Sequence, residues 1–61
     1  MANNIKHAII DSGMKQYEIA QKAGIRESRL SRIANGYVLG TIEELKKIAE
    51  VLEVDYKKIA N

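Results

Sequence analysis

Positions 16–35 of this chain obey a spacing rule that few backbones require. Counting Gln16 as the first position, a small residue, Ala20, stands fifth and a glycine, Gly24, stands ninth. Apolar residues hold the fourth, eighth, tenth, fifteenth and eighteenth places, as Ile19, Ala23, Ile25, Leu30 and Ile33. Two helices that cross near a right angle through a three-residue turn have these needs. They require a tiny side chain where they touch, a residue tolerant of positive φ in the turn, and an apolar seam on both inner faces. A random amphipathic hairpin seldom satisfies all of them together. The pattern therefore predicts helices over roughly 16–23 and 27–35, crossed at Ala20 and separated by Gly24, with Ile25 tucked inward.

The flanking sequence reads as helix too. Proline is absent, and no stretch alternates strictly over strand length. A first helix is expected from Asn3 or Asn4, either a good cap, to about Ser12. Ile5, Ala8 and Ile9 face inward and Gly13 closes it in a left-handed conformation. Thr41 and Glu44 have capping-box spacing, and Ile42, Leu45, Ile48, Ala49 and Leu52 then recur at helical intervals. Asp55 caps a last short helix with Tyr56 and Ile59 inward. Five short helices make a compact all-α fold.

At 61 residues the chain is expected to form one domain, 1–61. A chain this short buries only about 60% of its unfolded surface, so few side chains are spared for function. Cysteine is absent and His7 is the single histidine, which leaves no thiolate or histidine-rich site. No metal or cofactor is expected, and His7 reads as an exposed residue of the first helix. No carboxylate pair sits in an expected cleft, and so small a core leaves little room for a pocket. An enzyme and a small-molecule ligand are therefore not expected. No apolar run reaches the ~18 residues of a membrane span. The N-terminus lacks the apolar region of a signal peptide, so a reducing cytoplasm is the expected location.

Net charge is only +2, but it is unevenly placed. Through Gly40, six basic residues face three acidic ones; from Thr41 onward, four lysines face five acids. All three arginines, Arg26, Arg29 and Arg32, fall in the segment AGIRESRLSRIANG. That asymmetry suits a polyanion touched by one side of the molecule.

The segment MKQYEIAQKAGIRESRLSRIANG, supported by TIEELKKIAEVLEVDYKKIA behind it, resembles the phage repressor/Cro-type helix-turn-helix family. The likeness runs from Ile5 to Ile59. It implies a five-helix, lambda-repressor-like domain whose helix from Glu27 to Asn35 lies in the major groove of double-stranded DNA. It also implies a sequence-specific transcriptional regulator, expected to be a Cro-like repressor from a bacterium or phage. No segment beyond the domain is expected to bind an inducer or be cleaved, which favours a Cro-like minimal regulator. Such a protein would meet a near-palindrome as a homodimer.

Helix geometry independently orients the third helix. At 100° per residue, Leu30 and Ile33 centre its buried stripe and the opposite direction falls nearest Ser28. Arg32 and Ser31 lie about 50° to either side of that direction, and Glu27 about 90° round. Ser28, Arg32, Glu27 and Ser31 are thus the candidates for base contact. Arginine matches the O6 and N7 acceptors of guanine with a planar fork, and glutamate accepts from the cytosine amino group. Lysine supplies no fork. Glu27 could instead pair with an arginine, and Ser31 could be merely small. Arg29 sits on the flank toward the buried stripe, open to a phosphate contact or to pairing with Glu18.

Lys15 and Arg26 occupy the expected cap positions of the two motif helices, where relatives commonly have Ser or Thr. A cation there costs roughly 0.3–1 kcal/mol against the helix dipole, and the missing cap costs about 1 kcal/mol. A docked phosphate reverses both effects. Lys15 and Arg26 are therefore expected at phosphates, with the amides of Gln16 and Tyr17 aimed at the same strand. The alternatives are a boundary displaced by one residue and capping by water. Tyr17 could also cover the core edge. Asn35 and Tyr37 fall where relatives meet the DNA backbone, although Asn35 could simply close the helix and Tyr37 could pack.

Three departures from the family pattern matter. Where many relatives pair an Arg late in helix one with a Glu late in helix three, this chain has Ile9 and Ala34, which are expected to touch. Val38 and Leu39 stand in a loop that is mostly polar in relatives, where they could cover the core or form a dimer contact with Val54 and Tyr56. Glu53 replaces a common Gly at the exit of helix four. Val38, Leu39 and Tyr56, expected to be exposed, also support another function, a protein-interaction module such as an antitoxin or adaptor on the same fold.

Overall fold

A computed structural model describes residues 4–60. Five helices follow in order: α1 (Asn4–Ser12), α2 (Gln16–Ala23), α3 (Glu27–Ala34), α4 (Ile42–Leu52) and α5 (Tyr56–Ile59). Among the described residues there is no strand. The expected cap at Asn3 lies outside the described residues. The third helix stops one residue earlier than expected. Asn35 has left the helical region, with φ −91° and ψ 2°, and serves as its cap.

Each boundary has a local cause. Thr41 Oγ1 accepts from the Glu44 amide at 3.1 Å, and the Glu44 carboxylate returns a bond to the Thr41 amide at 2.9 Å. Asp55 caps α5 by accepting from the Lys57 amide at 3.0 Å. At the end of α2, Gly24 adopts φ 73°. That turn lets the Ile25 amide reach back to the Ala20 carbonyl at 3.0 Å while the Gly24 amide bonds Gln21. This paired closure satisfies carbonyls that would otherwise be orphaned at the helix end. α4 ends the same way, with Val54 bonded back to Ala49, but here the left-handed residue is Glu53, at φ 58°. Among the described residues it is the one non-glycine with positive φ.

One core holds the helices together. Ile19, Leu30 and Ile48 are fully buried, and Ile5, Ile9, Ala20, Ala23, Ile33, Ala34, Ala49, Leu52 and Ile59 surround them. α2 lies centrally against α3 and α4, while α1 and α5 close the other side. Ala20 is 2% exposed, as the crossing of α2 and α3 demands. α1 packs on α3, and Ile9 and Ala34 both belong to the core, where the family's polar pair would otherwise stand.

The inner stripe of α4 differs from expectation at its first residue. Ile42 is 63% exposed and the stripe begins at Leu45. In the loop before α4, a Cβ on Gly40 would stand 3.2 Å from Ile33 Cδ1 and 3.3 Å from Leu45 Cδ2, so a larger residue there would require those side chains to give by a few tenths of an ångström.

Candidate nucleic-acid interface

Two short helices, α2 and α3, joined by the turn at Gly24, carry the expected residues from Gln16 to Arg32. The inner face of α3 is anchored by Leu30, Ile33 and Ala34. Its opposite face is left to solvent: Glu27, Ser28 and Arg32 are exposed, and Ser31 is half-buried. Among the described residues, none of the side chains of Arg26, Glu27, Ser28 and Arg32 has a hydrogen bond or ion pair. Groups that can donate or accept therefore stand along an uncovered ridge.

Both motif helices begin where the sequence places them, with Lys15 and Arg26 in extended backbone at the cap positions. Neither side chain caps its helix. The amides at the start of α3, on Glu27, Ser28 and Arg29, stay open, because the first intrahelical bond runs from the Leu30 amide to the Arg26 carbonyl at 3.0 Å. At α2 the Glu18 carboxylate accepts from the Lys15 amide at 3.2 Å, an arrangement the sequence reading missed. The signal was present, since Glu18 sits three residues after the cap, as Glu44 does after Thr41. Tyr17 is 53% exposed beside this helix start.

Arg29 is paired, although not with Glu18. Its Nε donates to Glu44 Oε2 and its Nη2 donates to Glu44 Oε1, each at 3.0 Å. The Arg29 hydrogen bonds, followed by the Thr41 amide, hold the Glu44 carboxyl at about 2, well below its ordinary value of 4.5. The same hydrogen bond raises Arg29 above its usual range. The sequence reading saw Glu44 only as a cap. The flank position of Arg29, turned toward the packed side of α3, was the available sign that another helix would supply its partner.

Asn35 is also engaged. Its Nδ2 donates to the Ser31 carbonyl at 2.9 Å and to Ser31 Oγ at 3.3 Å, while Oδ1 accepts from Lys6 Nζ at 3.3 Å. Asn35 therefore closes α3 and ties it to α1. Tyr37 does not pack; it is 80% exposed at the far end of α3.

The residues suggested for a dimer contact divide. Val38, Val54 and Tyr56 are half-buried and pack against the core, whereas Leu39 is 88% exposed. An open hollow of about 270 Å³ lies away from α2 and α3, between α1 and the end of α4, with His7, Asp11, Leu52 and Lys58 on its walls. Among the described residues no three or more His, Cys, Asp or Glu side chains come together as a metal ion would require. No helix among them is long and apolar enough to cross a membrane.

A family model described as helix-turn-helix matches residues 5–59. Among curated proteins and solved structures, nothing matches the chain.

Proposed function

Because this chain belongs to the Cro/repressor-type helix-turn-helix family of DNA-binding regulators, we propose that it is a sequence-specific transcriptional repressor, reading the major groove of double-stranded DNA with α3. The observation that carries this reading is the ridge of α3. Leu30 is fully buried while Ser28 and Arg32, on the opposite side, are exposed and unpaired among the described residues. In the proposed complex Arg32 presents its fork to guanine, Ser28 lies beside it, and Glu27 and Ser31 flank them. Lys15 and Arg26, with the open amides of Gln16 and Tyr17, take phosphates at the two helix starts. Tyr37 lies along the backbone beyond α3.

The protein acts as one domain, in the cytoplasm of a bacterium or phage host, and its role is binding rather than catalysis. It meets a near-palindrome as a homodimer, with half-sites about one helical turn apart. Phosphate contacts supply much of the affinity, so binding weakens steeply with salt. Selection from a pool of random duplexes, repeated at two salt concentrations, tests the reading. Enrichment of a two-fold symmetric motif supports it. Absence of any enrichment at low salt overturns it.

A second reading rests on one observation. Tyr37, Leu39 and Ile42 are 80%, 88% and 63% exposed around one loop, an apolar surface that a protein-interaction module such as an antitoxin or adaptor would use. A folded chain with no affinity for any duplex at low salt would favour it.

A further inference from the structure

We propose that Glu44 is a specificity device: by clasping Arg29 against α4 it keeps that guanidinium out of the groove and leaves Arg32 to choose the base. The inference rests on the DNA-reading function of α3 proposed above.

Arg29 is next to Arg32 in space as well as in composition. It precedes Arg32 by three residues, which places it about 60° further round the helix and about 4.5 Å along it. Its side chain is 39% exposed, so it is near enough to the ridge for a long, free arginine to swing there. A second fork beside Arg32 would compete for the same guanine acceptors, and it would bind phosphate on any sequence. Both effects raise affinity without raising discrimination, because specificity is a difference between affinities.

Glu44 is built to prevent this. An exposed ion pair usually holds little, but two parallel bonds to a fixed acceptor are the exception. Both oxygens of Glu44 take Arg29, and the Thr41 amide holds one of them from behind at 2.9 Å. The carboxylate also sits in the first turn of α4, where the helix dipole favours its charge. α3 rests mainly on α2, and its packing on α4 is slight by comparison, so the bridge is not a by-product of extensive helix packing. Among the described residues it is the one salt bridge.

The test compares the full chain with Glu44→Gln, Arg29→Met and the double variant. Each is titrated by fluorescence anisotropy with the selected duplex and with a random duplex over a range of salt. Glutamine retains the capping-box geometry with Thr41 but weakens the clasp. Glu44→Gln is expected to tighten binding to the random duplex several-fold. The slope of log K against log salt should steepen by about 0.9, the signature of one added phosphate contact. The ratio of selected to random affinity should fall. In the Arg29→Met background the same substitution should change these quantities less, since only the loss of Glu44's own charge then acts. Arg29→Met alone should leave the ratio and the slope as they are, a reading that stands even if Glu44→Gln does not fold.

Equal effects of Glu44→Gln in the two backgrounds would overturn the inference. So would a loss of discrimination, or a shallower salt slope, on Arg29→Met alone. A wild-type chain that binds no duplex at low salt overturns the DNA-reading function itself, and the inference with it. A wild type that binds and discriminates while the cycle shows no coupling overturns the inference alone.

Discussion

Arg26, Arg29 and Arg32 follow one another at three-residue intervals, so side-chain type does not separate them. Position does. Arg26 stands at the start of α3 without capping it, Arg29 is clasped by Glu44, and Arg32 is exposed with no partner among the described residues. The proposed roles of Arg32 and Lys15 lead to opposite patterns of loss. Arg32→Ala should cost about 1–3 kcal/mol on the selected duplex and relax preference at one base pair, because a bidentate base contact disappears. Lys15→Ala should weaken all duplexes alike and make the salt slope shallower, because a phosphate contact carries no sequence information. Anisotropy titrations on the selected duplex and its single-base variants check both. A loss from Lys15→Ala that depends on sequence would remove Lys15 from the phosphate set.

Among elements, three helix ends close by the same backbone device, and the residue placed in its left-handed position differs. Gly24 and Gly36 hold that conformation without steric cost, at φ 73° and 81°. Glu53 holds it at φ 58° after α4. A left-handed non-glycine costs roughly 1–2 kcal/mol, and glycine's greater freedom in the unfolded chain returns part of that. Glu53→Gly is therefore expected to stabilise the fold by about 1 kcal/mol. That gain corresponds to a melting temperature higher by about 4–8 °C in a domain of this size, read by thermal unfolding. A lower melting temperature would show that the Glu53 side chain contributes something its exposed position does not suggest.

For the whole molecule, the Arg29–Glu44 bridge joins the two-helix motif to the remainder of the chain, so its titration bears on global stability. The folded Glu44 carboxyl titrates at about 2 against an ordinary 4.5. A group whose folded value is depressed contributes stability above its unfolded value and loses it as pH falls toward the folded one. The bridge should therefore contribute fully above about pH 5 and progressively less as pH falls from about 4.5 toward 2. Denaturant unfolding of wild type and Glu44→Gln across that window provides the check. The stability difference between them should be constant near neutrality and shrink on acidification. A difference that stays flat down to pH 2 would mean that the carboxylate is not held as the geometry indicates.

Helix order, the crossing at Ala20, the turn at Gly24 and nearly all of the core are legible in residue order, because apolar periodicity and capping residues act over a few positions. The outward azimuth of Ser28 and Arg32 follows from the same periodicity. Contacts between distant segments did not follow from it. Glu44 is 15 residues from Arg29, and Asn35 is 29 residues from Lys6. Local pattern names such residues as caps or surface charges but contains nothing about which helix will come to face them. The exposure of Ile42, at the first position of the α4 stripe, was likewise not contained in the local pattern. What residue order determined is the set of helices and the ridge they turn outward. Only the tertiary structure decided which of the three arginines is held away from it, since that depends on where packing brings the Glu44 carboxylate.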